Sequence, residues 1–250
     1  VISYQRPPLT THYSLLTFTM NETTVQNLIQ LISTRTGLQI RVQDRKDLCK
    51  KIETRMKVLK LNTPEKYYQL LLGFNHQQDM TTIGSNSDRE WQELLALLTI
   101  GESYFFRDRG HFNLLKHQIL PELIESKRKA CHDTLEKKSS LKIWSAGCSS
   151  GQEPYSLAIL VKELIPDLSA WEISILGTDI NPEAIAKAQR GIYETWSFRQ
   201  VDPQIQKHYF QLRKLGWEIE PRIRRMVKFR CGNLLQESFP SPSADLHDLD

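Results

Sequence analysis

The sequence predicts an α/β protein in two parts: a small all-helical domain, then a parallel sheet wound with helices. Residues 21–98 carry four amphipathic helical patterns and no strand pattern, whereas residues 141–231 alternate strand-like with helix-like segments. The charged, turn-prone stretch Glu136-Lys137-Lys138-Ser139-Ser140 separates the two. Such alternation means βαβ units, because parallel neighbours need a crossover helix between them.

Taken in order, residues 1–20, with Pro7-Pro8 and scattered Thr, show no sustained period and read as an arm. Thr23 or Thr24 caps a first helix through Val25, Leu28, Ile29 and Ile32, and Gly37 supplies its left-handed terminus. A second helix spans about residues 45–60, with Leu48, Ile52, Met56 and Leu59 on one side and Lys46, Lys50, Lys57 and Lys60 opposite. Thr63-Pro64 opens a third helix that ends before Gly73, and Ser87 with Glu90 forms a capping box for a fourth containing Trp91, Leu94, Leu95 and Leu98. Residues 99–140 are a linker and connecting helix. Strands follow at about 141–145, 171–176 and 226–231, and helices at about 155–165 and from Asn181-Pro182 to Gly191. Residues 195–225 form a polar, aromatic-containing insert.

Composition excludes several classes. The 250 residues are 40% hydrophobic and 25% charged, enough for one large core or two modest ones. No stretch approaches the roughly 18 apolar residues of a membrane span, and the first residues carry no apolar block after a basic start, so a cytoplasmic protein without direct membrane insertion is expected. Cys49, Cys131, Cys148 and Cys231 form no Cys-x-x-Cys pair, which favours reduced thiols over a disulfide framework or zinc ribbon. The seven histidines include no His-x-x-x-His, so no metal is expected. A net charge of +4 is too small to argue for nucleic acid.

The loop Ala146-Gly147-Cys148-Ser149-Ser150-Gly151-Gln152-Glu153 joins the first strand to its helix, where ligands of open parallel sheets bind. It lacks both the G-x-G-x-x-G and the Walker pattern, and by itself reads equally as a tight turn. Asp179, just past the second strand, can accept from both hydroxyls of a ribose; its alternative role is a helix N-cap. Loop and carboxylate together favour an adenosine-containing cofactor. Asn233 stands at the same edge after the third strand, where an amide can reach an adenine or simply serve a turn. Between the domains, Phe105 and Phe106 read as buried anchors beside Arg107, which either faces an anion or pairs with Asp108 or Glu102.

Three strings, Gly101-Glu102-Ser103-Tyr104-Phe105-Phe106-Arg107, Trp144-Ser145-Ala146-Gly147-Cys148-Ser149-Ser150-Gly151-Gln152-Glu153-Pro154-Tyr155-Ser156 and Thr178-Asp179-Ile180-Asn181, with Gly191-Ile192-Tyr193 and Asn233-Leu234-Leu235, resemble the CheR-type protein-glutamate O-methyltransferases of bacterial chemotaxis. The resemblance covers roughly residue 21 to the end. It implies a helical domain (21–98) and a Rossmann-like class I methyltransferase domain (141–250) that uses S-adenosyl-L-methionine, releases S-adenosyl-L-homocysteine and methylates glutamates on cytoplasmic chemoreceptor helices. Carried over by position, Ser103, Arg107, Ala146, Gly147, Glu153, Asp179, Asn233 and Leu234 would bind the cofactor, and Arg107 would be the catalytic polar group.

Two departures stand out. Gly101 takes the place of an Asn that touches the cofactor in some members. The sequence also ends at Asp250, before the family's Asp-Leu-Ile-x-Cys-Arg-Asn-Val-x-Ile-Tyr segment, so the expectation is a sheet whose first strand, central in such domains, lacks one neighbour, and a chain less stable than a longer one.

Residues 41–60 hold eight basic and three acidic side chains. They read as a solvated face or, given a glutamate-rich receptor surface, as a docking stripe of Lys46, Lys50, Lys51, Arg55 and Lys57. In some members the insert holds a receptor tail peptide; otherwise it covers a sheet edge. A monomer is expected. The competing readings are a catalytically impaired methyltransferase-like module that binds cofactor or receptor and, more weakly, a nucleic-acid methyltransferase.

Overall fold

A computed structural model describes residues 20–73, 83–134, 138–235 and 249–250. The proposed arm lies outside these except for Met20, as does part of the charged junction. Four helices make the first domain: α1 (Glu22–Thr36), α2 (Arg45–Val58), α3 (Pro64–Leu72) and α4 (Ile83–Leu98). Their apolar stripes meet in one core of Leu28, Ile32, Leu48, Ile52, Met56, Tyr67, Leu71, Trp91 and Leu94. Thr63 and Gly73 cap α3 as the sequence predicts, and Gly37 ends α1 at φ 79°.

Two caps differ from expectation. Asn21, not Thr23 or Thr24, caps α1 by accepting the Thr24 N–H at 2.7 Å, which frees the Thr24 hydroxyl to donate to Glu65 at 2.8 Å. Ser87 and Glu90 are no capping box, because α4 begins a turn earlier at Ile83. Both face inward instead. The Ser87 hydroxyl donates to the Leu71 carbonyl, and the Glu90 carboxylate, 2% exposed, receives Arg55 Nη2 at 2.7 Å and Nε at 3.0 Å and the Tyr67 hydroxyl at 2.7 Å. Burial and the Glu90 charge push the Tyr67 phenol far above its ordinary pKa, so it stays a donor.

The second domain opens with α5 (Arg109–Leu114), which runs through a π turn at Leu115–Ile119 into α6 (Leu120–Thr134). After β1 (Ser139–Ala146) come α7 (Gln152–Leu164), β2 (Trp171–Asp179) and α8 (Pro182–Arg190). Strand β3 (Ile192–Tyr193) follows, and the insert then supplies α9 (Pro203–Tyr209), β4 (Phe210–Arg213), β5 (Gly216–Ile219) and α10 (Pro221–Arg224) before β6 (Val227–Cys231). Strands β1, β2 and β6 form a parallel sheet in that order, with Ala146 beside Thr178 and Asp179 beside Cys231. Strands β3, β5 and β4 form a small antiparallel sheet.

Among the described residues β2 is central and β1 lies at an edge with β2 as its one neighbour, the arrangement the sequence leads one to expect. Asp250 meets that edge: its N–H donates to the Lys142 carbonyl at 3.1 Å, and its carboxylate accepts the Lys142 N–H at 2.9 Å and pairs with Lys127.

Replacing Arg55 by Met leaves the Glu90 charge buried without its guanidinium, and a loss of about 3–5 kcal/mol is expected. Arg41→Met removes only an exposed pair with Asp44 and is expected to change stability by under about 1 kcal/mol. Urea denaturation of the two variants checks the contrast.

Candidate functional site

The carboxyl ends of β1 and β2 open into a cleft of about 830 Å³, closed from above by the linker and the helical domain. Its floor is the loop after β1. Here the N–H groups of Gly147 and Cys148 both donate to the Thr178 carbonyl, at 2.8 and 2.9 Å. Gly147 takes φ 74° with nothing within 4 Å of the place a Cβ would occupy, so its backbone lies open to a ligand. Gly151 is the opposite case: at φ 90°, a Cβ would stand 2.7 Å from that of Ala188. One glycine gives access and the other lets α7 approach α8.

Asp179 binds the loop to the next element. Its Oδ2 accepts the Ser149 N–H at 2.8 Å and its Oδ1 the Asn181 N–H at 2.9 Å. The α8 N-cap is Asn181, whose Oδ1 takes the Glu183 and Ala184 N–H groups, so Asp179 does not serve as that cap. The Asn181 amide also donates to Thr99 Oγ1 at 2.8 Å, joining the sheet domain to the linker. Ser149 sits at φ 51°, and its hydroxyl is buried without a hydrogen-bond partner among the described residues. A strained residue with an unpaired buried hydroxyl, beside a carboxylate on a cleft floor, is a place built for a polar ligand.

The linker forms the near wall. Phe105 is fully buried, with its ring 4.8 Å from those of Tyr193 and Phe210 and 5.1 Å from that of Phe198. Phe106, at φ 54°, donates its N–H to Ser156 Oγ at 3.0 Å. Both phenylalanines are therefore anchors, and the turn between them leaves Arg107 exposed in the cleft wall. Arg107 Nη1 donates to the Glu102 carbonyl at 3.0 Å. Neither Asp108 nor the Glu102 carboxylate pairs with it among the described contacts.

Of the residues carried over by position, Ser103, Arg107, Gly147, Glu153 and Asp179 line the cleft together. Glu153 there accepts the Ser145 hydroxyl at 2.7 Å. Ala146 ends β1 exposed and outside the lining. Asn233 and Leu234 are also outside it. Asn233 donates to the Arg35 carbonyl in the last turn of α1 at 2.8 Å, and Leu234 is 51% exposed. In the basic stripe Lys46, Lys50 and Lys57 are exposed. Arg55 is corrected from docking to core, since its side chain is 12% exposed and held by Glu90 and Glu93. Lys51 pairs with Asp47 at 2.6 Å and faces the cleft with Asp44 and Leu48. That wall had a signal in the sequence, the helical spacing of Asp47, Leu48 and Lys51. Among the described residues no cluster of acidic, Cys and His side chains suits a metal, and no helix is long and apolar enough to cross a membrane.

A parallel sheet whose first loop is open at Gly147 and whose second strand ends in Asp179 defines a domain for a nucleoside-containing cofactor. Residues 101–246 match the family model described as the CheR methyltransferase, SAM binding domain, and the chain belongs to that family. It is 33% identical over 150 residues to a probable chemotaxis protein methyltransferase of Rhizobium etli, covering 58% of this chain and 53% of the relative. It is 37% identical over 144 residues to chemotaxis protein methyltransferase 1 of Pseudomonas aeruginosa, covering 55% and 49%. A longer match, 26% identical over 221 residues, joins 87% of the chain to 67% of a chemotaxis protein methyltransferase of Salmonella typhimurium. The chain spans about half the length of the first two relatives. The cofactor of the family is S-adenosylmethionine, and the open Gly147 backbone, the Asp179 carboxylate and the unpaired Ser149 hydroxyl fit its adenosine and polar groups.

Cys148 lines the same cleft, yet burial and then the Asp179 charge push its thiol from 9.0 to about 12. Its thiolate fraction at pH 8 falls roughly a thousandfold below that of an ordinary cysteine. Labelling with a thiol-reactive disulfide at pH 8 is expected to modify exposed Cys231 in the native protein and Cys148 only after denaturation, as read by peptide mass.

Proposed function

We propose that the protein transfers the methyl group of S-adenosylmethionine to glutamate side-chain carboxylates of chemoreceptors, forming glutamyl methyl esters in chemotactic adaptation. The observation that carries this is the cleft itself, which Gly147 and Asp179 of the cofactor floor line together with an exposed Arg107. The bound cofactor supplies an electrophilic methyl on a sulfonium. A carboxylate is already ionised at neutral pH, so its oxygen forms the new C–O bond as the C–S bond breaks, and no proton has to be moved. What the chain contributes is position and exclusion of water.

In this reading Asp179 holds the ribose and Glu153 and Ser103 shape the remainder of the cofactor site. Arg107, fixed by the Glu102 carbonyl, draws the acceptor carboxylate toward the methyl. The exposed Lys46, Lys50 and Lys57 suit a glutamate-rich helical surface of the receptor, and the small antiparallel sheet offers a place for a receptor tail. A cytoplasmic location and a monomeric state go with this reading. Binding of cofactor without transfer is what the non-catalytic alternative requires, so labelled methyl transfer to receptor fragments separates the two.

Asp179→Asn replaces an acceptor of two backbone N–H bonds by a group that is half donor. Affinity for S-adenosylhomocysteine is expected to fall about 10- to 100-fold by calorimetry. The double change Lys50→Glu and Lys57→Glu is expected to leave that affinity intact but raise the KM for receptor at low salt by about tenfold, with the difference shrinking as salt rises.

A further inference from the structure

Arg199 stands out among the arginines of this chain. Its guanidinium carbon lies 3.3 Å from the centre of the Tyr104 ring and 3.5 Å from that of Trp196, wedged between two rings that meet edge to face. Its side chain is 27% exposed, yet its polar contacts are loose: Nη2 to Glu102 Oε1 at 3.4 Å and Nη1 to the Trp196 carbonyl at 3.5 Å. Charge-assisted bonds are ordinarily about 2.7–2.9 Å. Arg55 meets that standard at 2.7 Å from Glu90, as does Arg45 at 2.9 Å from Glu22.

A guanidinium wedged between two aromatic rings, with its donors weakly used, is prepared to take a carboxylate. The position is also informative. Tyr104 and Glu102 both line the cleft, and Arg107 lies 5.7 Å from the same ring centre. Glu102 serves both cations, with its carbonyl on Arg107 and its carboxylate on Arg199. That carboxylate is 56% exposed and is the same chemical group as a glutamate acceptor. Trp196, half exposed, offers an apolar edge beside it.

We propose that Arg199 is an acceptor-binding subsite that takes an acidic side chain of the protein substrate, and that Glu102 is the resident carboxylate which that side chain displaces. The inference rests on the carboxylate-acceptor reading above. Arg107 then serves the reacting carboxylate and Arg199 a second acidic group of the same acceptor surface, so the site selects acidic helices over isolated glutamates.

The test is binding of a fluorescein-labelled helical peptide bearing glutamates along one face, against its all-glutamine counterpart. It is read by anisotropy at low salt with the whole chain loaded with S-adenosylhomocysteine. Arg199→Gln is expected to weaken the glutamate peptide about tenfold and Arg199→Lys to fall between, since Lys keeps the charge but not the planar fork. Glu102→Gln is expected to tighten it severalfold, because a competitor has been removed. The glutamine peptide is expected to show neither effect.

A structural brace predicts the opposite sign for Glu102→Gln, so weaker binding in that variant overturns the proposal. Unchanged binding in Arg199→Gln, or no binding of the glutamate peptide to the unaltered chain, overturns it equally. Should Arg199→Gln also reduce S-adenosylhomocysteine affinity, the exposed Glu102 variant decides alone. Labelled methyl transfer to the same peptide separates this inference from the reading beneath it. Arg199-dependent binding without transfer leaves the subsite and removes the ester-forming activity, whereas transfer insensitive to Arg199→Gln does the reverse.

Discussion

The cleft depends on one carboxylate with two backbone partners. Asp179 ties the loop after β1, through Ser149 N–H, to the start of α8, through Asn181 N–H. Asn181 passes the connection to Thr99 and hence to the linker. These bonds form where the parallel register sets Ala146 beside Thr178, so the sheet pairing decides which residues converge. A carboxylate holding two N–H bonds in a partly buried site is a fixed negative point, and the geometry around it needs no rearrangement to receive a ligand.

The helical domain solves a different problem. Helix α2 faces three environments: Leu48, Ile52 and Met56 enter the core, Asp47 and Lys51 face the cleft, and Lys46, Lys50 and Lys57 face solvent. The Arg55 bridge to Glu90 and Glu93 locks the rotation of α2 against α4, and with it which charges reach the cleft. A buried ion pair adds little net stability, but it specifies one arrangement among several of similar apolar burial.

Much of this was legible in the sequence, and the exceptions have physical reasons. Apolar spacing located the helices and strands because core burial enforces period. The Gly-rich loop and Asp179 pointed to the cofactor floor because parallel sheets place such loops at one end. The caps at Ser87 and Thr24 misled because the same side chains suit tertiary bonds, and local spacing does not say which partner wins. Asn233 was placed by position in the family, whereas its amide meets the Arg35 carbonyl, a partner 198 residues away in sequence. The Arg199 stack likewise joins the linker to the insert, and no local pattern announces a contact of that range.

The π turn at Leu115–Ile119 has a consequence for how a long helix keeps one face on the sheet. Phe112 and Leu115 border the cleft and also pack against the cluster that Leu120 and Ile124 form with Leu141 and Leu160. The step from Leu115 to Leu120 is five residues, longer than the three or four that keep side chains on one α-helical face. A wider turn with i→i+5 bonding absorbs the surplus residue. The helix is thereby rephased midway, like a screw whose thread is shifted by one notch, so that Phe112 and Leu115 before the turn and Leu120 and Ile124 after it meet the same cluster.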